Sequence, residues 1–314
     1  MSAPKLPVIF LLGPTASGKT DWAIHWHQIL PNIEIISVDS VMIYRGCDIG
    51  SAKPSQELLE HHPHHLINAA SLSEVFTVAD FYREARRLID EIHQRQKIPL
   101  LVGGSMMYFN VLKKGMSVLP ESDAALRLDL ENSALHSGTS YLYKELLNID
   151  PIAAQEIKSN DKQRIIRAIE VNKLSGKTLQ ENLQSNPAVL LSSQYTLHEL
   201  AIHPQDRTSL HQRIESRQKQ LIASGLLEEV EQLNLSYPTS HDHPAMRAVN
   251  YSQALQVIKG TLPADELFER SLYATRQLAK RQHTWLRSWE NLHNFDVSEL
   301  EAATNTLKNL LNLR

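Results

Sequence analysis

The chain has 314 residues, and its 32 Lys and Arg against 35 Asp and Glu give a net charge of −3 with His neutral. That balance excludes a globally basic nucleic-acid binder, so a polyanion site must be a local patch. One cysteine, Cys47, excludes an intramolecular disulfide and a cysteine metal cluster and fits a reducing compartment. No apolar run approaches the roughly 18 residues of a membrane span.

The apolar run from Val8 to Leu12 reads as a core strand rather than a signal peptide. It leads into Gly13, Pro14, Thr15, Ala16, Ser17, Gly18, Lys19 and Thr20, ahead of a helix opening at Asp21. G-x-x-x-x-G-K-[ST] between strand and helix is a P-loop, in which successive backbone N–H groups curl around a phosphate at a helix N-terminus. Lys19 adds a mobile positive charge, and the Thr20 hydroxyl is placed to ligate Mg2+. The loop alone does not distinguish an isoprenoid diphosphate from the β,γ-phosphates of ATP.

Ile33 to Val38 reads as a buried strand that delivers Asp39 and Ser40 to the sheet edge where ligands sit. Position alone leaves Asp39 open as catalytic base, metal ligand or cap. Val41 to Pro54 is predicted to be an ordered loop near the site. Among His61, His62, His64 and His65, Pro63 breaks any i,i+4 pairing and only Glu60 stands by, so a polar turn is favoured over a metal site. A helix is predicted over 79–94, then a strand from Ile98 to Val102 ending in Gly103-Gly104-Ser105. Ser105 is open as a ligand-facing hydroxyl or as a helix N-cap.

From about 115 to 187 the strand signal vanishes and helices follow one another, over 122–136, 141–148 and 161–174, with Asp150-Pro151 opening a further one. A helical block between α/β segments reads as an inserted domain, 116–195, in a core formed by 1–115 and 196–314. The strand signal returns from Thr196 to Ile202. A helix over 207–223 carries Arg213 and Arg217. A long helix over 264–289 steps Arg276, Lys280, His283 and Arg287 along one face, a row a polyanion can use, although basic residues late in a helix also suit its macrodipole. The tail after Asn291 reads as one peripheral helix.

These blocks resemble one family. Gly13 to Thr20, Ser37-Val38-Asp39-Ser40, Ala52-Lys53-Pro54, Gly103-Gly104-Ser105, Arg164-x-x-Arg167-Ala168 and the run from Ala274 to Gln282 occur in the order of the bacterial tRNA dimethylallyltransferases. The resemblance implies an α/β P-loop NTPase-like core, with a parallel sheet flanked by helices and an inserted all-helical domain. It implies transfer of a dimethylallyl group from dimethylallyl diphosphate to the exocyclic amine of the adenosine immediately 3′ of the anticodon.

By carry-over Asp39 is the general base, Arg217 binds the diphosphate, Ser105 takes the place of a usual threonine and Mg2+ sits at Thr20. The implied tRNA contacts are Asp39, Ser40, Val41, Met42, Ser105, Arg127, Gln163, Arg164, Ile165, Ile166, Arg167, Arg247, Ala248, Val249, Asn250, Tyr251, Ser252, Arg276, Lys280 and Arg287. Where the family commonly reads Arg-x-Val-Gly-Tyr-Arg, this chain has Asn250 and Ser252, and Asn68 replaces a usual aspartate. The implied partner is the tRNA anticodon stem-loop, and the setting is a cytoplasmic monomer. The alternatives are a P-loop nucleotide or small-molecule kinase and a non-catalytic RNA-binding module.

Overall fold

The computed structural model of the chain describes residues 5–30, 32–238 and 243–313. It divides into two compact units, 1–113 with 191–314, and 114–190. The first unit begins with β1 (Pro7–Leu12), α1 (Lys19–Ile29), β2 (Ile33–Val38), α2 (Gln56–His61), β3 (His64–His65), α3 (Val78–Gln94), β4 (Ile98–Gly103) and α4 (Met106–Lys114). It resumes with α10 (Leu191–Gln194), β5 (Thr196–Ile202), α11 (Arg207–Ala223), α12 (Leu226–Ser236), α13 (Tyr251–Ile258), α14 (Leu267–Arg287), β6 (His293–Phe295) and α15 (Leu300–Leu310). The second unit holds α5 (Ala124–Ser137), α6 (Thr139–Ile149), α7 (Pro151–Glu156), α8 (Lys162–Ser175) and α9 (Leu179–Ser185).

The strands form one sheet in the order β3-β2-β4-β1-β5-β6, with every neighbouring pair parallel. Helices cover both faces, which is why β1 and β4 read as nearly continuous apolar runs. Alternate β1 side chains serve opposite layers. Val8, Phe10 and Leu12 pack with Phe81, Ile89 and Phe109 of α3 and α4. Ile9 and Leu11 pack with Trp22 and Trp26 of α1 and with Ala303 and Leu307 of α15. The α3 helix starts at a capping box between Thr77 and Asp80.

Three strand ends define the working edge. Because β4 lies between β2 and β1, the residues following them stand side by side: Asp39, then Gly103 to Ser105, then the P-loop. This is the carboxyl edge at which open parallel sheets bind ligands.

Two strands escape the periodicity reading. The predicted polar turn around the histidines contains β3, a two-residue edge strand whose register pairs His64 with Ile35. The tail predicted as one helix first forms β6 against β5 and only then α15. Segments of two and three residues are too short to show alternation.

The helical unit packs around Leu130, Leu142, Leu146, Ala154, Ile165, Ile166 and Ile169. Asp150 caps α7 by accepting the Ala153 N–H, with Pro151 at the first helical position. Asp161 caps α8, and Gly176 closes it in the left-handed conformation.

Candidate active site

The P-loop is shaped by two left-handed residues, Ala16 at φ 60° and Gly18 at φ 90°. Such alternation turns consecutive N–H groups inward as an anion nest. Gly18 has a second constraint, since a Cβ there would lie 3.1 Å from the Arg213 guanidinium. The Lys19 ammonium donates to the Pro14 carbonyl at 2.6 Å, within its own loop. Lys19 is partly exposed, yet burial, with Arg217 and then Arg213 adding repulsion against Asp39, draws its pKa down to about 7. Burial also lowers the Arg217 pKa. Three cations crowd one end of the site, an arrangement that a polyanion relieves.

A cavity of about 720 Å³ opens from this loop along the strand ends. Thr15, Ala16, Lys19 and Thr20 line it with Asp39, Ser105 and Arg217. Much of the remaining wall is apolar, from Met42, Ile67, Val75, Phe76, Met106 and Met107.

Asp39 is held by one oxygen. Its Oδ1 accepts the N–H groups of Val41 at 2.8 Å and Met42 at 3.0 Å, while Oδ2 takes no hydrogen bond among the described residues. It is thus a turn cap at one oxygen and available for chemistry at the other. Its charge raises the proton affinity of both Lys19 and Arg217. Ser105 opens α4 through its carbonyl, which accepts from Tyr108 at 2.9 Å, whereas its hydroxyl caps nothing among the described residues. The Arg217 guanidinium donates to the Ala52 carbonyl at 3.3 Å, which ties it to the loop after β2.

That loop is itself fixed. The Glu229 carboxylate accepts from the Asp48, Ile49 and Gly50 amides at 2.6 to 3.0 Å and from the Tyr251 hydroxyl at 2.7 Å. Asn250 sits at φ 77° and ψ −53°, outside the left-handed helical region that asparagine enters readily, and its Nδ2 donates to the Gly50 carbonyl at 2.8 Å. The departure at Asn250 therefore adds a side-chain tether to this loop. Asn68, at φ 56°, accepts from the Lys53 ammonium, which also holds the Asp48 carboxylate.

The sequence reading and the structure part company on α14. Its cavity-lining side chains are Thr275, Leu278, Arg281, Gln282 and Trp285, not the row Arg276, Lys280, His283 and Arg287. Lys280 and Arg287 are exposed, whereas Arg276 is half-buried and donates to Glu215 at 3.3 Å. His283 is half-buried, and burial, the neighbouring His203 and nearby arginines pull its pKa down to about 4. Helix-face arithmetic names Arg213 with Arg217 but does not single out Arg281, Gln282 or Gln218. Gln218 is 1% exposed in the cavity wall, and its Nε2 has no partner among the described residues.

Of the expected tRNA contacts, Ser40, Val41, Met42, Arg247, Ala248, Val249, Asn250 and Tyr251 line the cavity together, and Ser252 does not. Tyr251 is fully buried, so it shapes the cavity wall from beneath and offers no exposed surface of its own. In the helical unit, Arg164 is exposed, and Arg127 donates to Gln163 at 2.7 Å. Ile165 and Ile166 are core residues with no exposed side chain, so a contact at those positions has to come from neighbours. Arg167 is committed internally, to Glu170 at 2.8 Å and the Pro120 carbonyl at 2.7 Å.

Oxygen donors, Thr20 and Asp39, face the cavity beside the nest, and hard donors of this kind suit Mg2+. Among the described residues no three His, Cys, Asp or Glu side chains gather as a metal cage. A divalent ion here thus fits best when phosphate oxygens complete its shell. Among the described residues no helix is long and apolar enough to cross a membrane.

The signature of the IPP transferase family matches residues 42–289, starting just past the P-loop and Asp39. The tRNA isopentenylpyrophosphate transferase of Bacillus halodurans is 32% identical, superposes with a TM-score of 0.71, and the match covers 98% of this chain and 97% of that one. The tRNA isopentenylpyrophosphate transferase of Staphylococcus epidermidis is 28% identical with a TM-score of 0.68, over 98% and 99% of the two chains. A eukaryotic dimethylallyltransferase acting on tRNA, 24% identical over 98% of this chain and 80% of its own, shares the fold with a TM-score of 0.79. With the P-loop core, the inserted helices and the signature agreeing over most of its length, the chain belongs to the IPP transferase family.

Proposed function

We propose that the chain transfers a dimethylallyl group from dimethylallyl diphosphate to the exocyclic amine of the adenosine immediately 3′ of the anticodon in tRNAs, giving isopentenyladenosine. The observation that carries this is the single cavity that combines a cationic phosphate grip, a fixed carboxylate at the adjacent strand end and an apolar wall. A five-carbon allyl chain needs the apolar wall, its diphosphate needs the cations, and the amine needs the carboxylate.

In the reaction the allylic C–O bond breaks and its electron pair leaves with the diphosphate, while the adenine N6 forms the new C–N bond and gives up a proton. An adenine amine is a weak nucleophile because its lone pair is delocalised into the ring. The unpaired Oδ2 of Asp39 is suited to accept the N6 proton while Oδ1 keeps the carboxylate aimed. The P-loop amides, Lys19 and Arg217 stabilise charge developing on the leaving diphosphate. Thr20 would hold a diphosphate-bound Mg2+, which supplies further neutralisation of that charge. Ser105, between Asp39 and the P-loop, offers its free hydroxyl to the reacting groups.

The acceptor base cannot be reached while stacked, so it must be extruded into the cavity past the 247–251 segment. Exposed Lys280, Arg287 and Arg247 supply phosphate contacts, and Arg127, Gln163 and Arg164 supply a second set on the helical unit. A monomer in the cytoplasm, where tRNA resides, is the setting of this reading. The kinase alternative is not favoured, since it leaves the apolar wall without a role. The two readings separate on diphosphate release: the chain should liberate diphosphate from dimethylallyl diphosphate only when tRNA is present. Release of phosphate from ATP, with none from the allylic donor, would overturn the proposal.

A further inference from the structure

One side chain of α14 joins two of the strand-end loops. Gln282 is 7% exposed. Its Oε1 accepts the Thr15 N–H at 2.9 Å, and its Nε2 donates to the Gly104 carbonyl at 3.0 Å. Thr15 lies in the loop after β1 and Gly104 in the turn after β4, and these strands are neighbours in the sheet. A Cβ on Gly104 would stand 2.5 Å from Gln282 Nε2, so the glycine is what admits the amide. Buried Thr275, Ala279 and Leu286 on the same helix fix the face from which Gln282 projects.

An amide is the side chain that offers one acceptor and one donor in a rigid plane, as this bridge requires. A carboxylate would set an acceptor against the Gly104 carbonyl, and an aliphatic side chain would leave the half-buried Thr15 N–H without a partner and the Gly104 carbonyl with the Met106 N–H alone. The Thr15 N–H is committed to Gln282 and the Ser17 N–H to the Pro14 carbonyl at 3.3 Å, which leaves the amides of Ala16, Gly18, Lys19 and Thr20 for phosphate. The Gly104 end of the bridge adjoins Ser105.

We infer that Gln282 is a positioning residue that sets the separation between the diphosphate-gripping loop and the strand end carrying Ser105, and so holds the donor at reacting distance from the acceptor amine. The inference rests on the prenyl-transfer reading. Positioning errors of about an ångström cost on the order of 100-fold in rate. Its effect therefore falls on the chemical step more than on binding.

The test is single-turnover transfer at saturating dimethylallyl diphosphate and tRNA in Gln282→Ala, Gln282→Met, Gly104→Ala and the Gln282→Ala/Gly104→Ala double variant. The single Gln282 variants should lose roughly 10- to 100-fold in rate, with tRNA affinity changed by less than about 3-fold. Gly104→Ala should be slow alone, because its methyl displaces the amide, and should add nothing to Gln282→Ala, where that space is open. Gln282→Glu, which keeps the acceptor for Thr15 and makes the other contact repulsive, carries the test if the alanine variant does not fold.

Wild-type rates in folded Gln282 variants, or additive losses in the double variant, would overturn the inference. Hydrogen exchange at the Thr15 amide, faster in Gln282→Ala, reads the bridge without the reaction. A wild-type chain that transfers nothing would thus refute the function, while unchanged exchange at Thr15 would refute the bridge.

Discussion

Lys19 offers the sharpest physical test of the phosphate grip. Burial and the neighbouring Arg217 and Arg213 bring its pKa from an ordinary 10.5 to about 7. At pH 8 the group is therefore about nine-tenths neutral, and at pH 6 about nine-tenths charged. A diphosphate against its ammonium opposes the causes of that shift and restores the charge. Binding should accordingly take up close to one proton at Lys19 near pH 8 and almost none near pH 6. The sign follows from linkage: affinity contributed by this group is fully present below the pKa of the free protein and falls as pH rises through 7 toward the pKa of the complex, by at most about tenfold per pH unit.

Calorimetry of inorganic diphosphate binding in buffers of different ionisation enthalpy counts the protons. The ligand titrates too, so the quantity to read is wild type minus Lys19→Arg, in which the side-chain charge does not titrate. Equal uptake by the two proteins at both pH values would refute the account of Lys19. The same shift bears on stability. The unfolded chain binds more protons than the folded one between about pH 7 and 10.5, so Lys19 destabilises most below pH 7 and its cost fades toward 10.5. Lys19→Met should raise the denaturation midpoint at pH 6 and leave it nearly unchanged above pH 10.

Asp39→Asn keeps the acceptor for the Val41 and Met42 amides, so the loop should stay folded and tRNA should still bind, while transfer falls by roughly 10²- to 10⁴-fold. Near-normal single-turnover rates would remove Asp39 from the base role. Exposed Lys280 and half-buried, Glu215-bound Arg276 should separate in salt titrations of tRNA binding. Lys280→Gln should flatten the slope of log affinity against log salt by about one, and Arg276→Gln by less. Glu229→Ala removes the acceptor shared by three loop amides and the Tyr251 hydroxyl, and urea denaturation should show a loss of about 2 kcal/mol or more, whereas exposed Glu228→Ala should change little.

Much of the core was legible because its signals are local. The P-loop spacing, the strand from Thr196 to Ile202 and the helix from Arg207 to Ala223 all depend on neighbours within a few residues, and each lies where periodicity and caps put it. Asp39 and Ser105 could be placed at one sheet edge because buried strands deliver them there. What remained hidden is tertiary. A helix wheel groups Arg276, Lys280, His283 and Arg287 on one face, but it does not say that the adjoining face, Thr275, Leu278, Gln282 and Trp285, is the one turned to the cavity. Gln282 carries no charge and no motif chemistry of its own, and its partners Thr15 and Gly104 are distant in sequence. Ile165, Ile166 and Arg167 show the reverse case: a basic-looking helix segment whose side chains are largely consumed by the core and by Glu170.

The central claim is that one cavity grips an allylic diphosphate and presents a base to an adenine amine. Nucleoside mass analysis tests it most directly, after the purified chain has been incubated with dimethylallyl diphosphate, Mg2+ and unmodified tRNA. The account requires one dimethylallyl group on adenosine, in the anticodon-loop fragment only, and none when the adenosine 3′ of the anticodon is replaced by guanosine. Unmodified adenosine throughout, from a folded protein that binds both substrates, would contradict it.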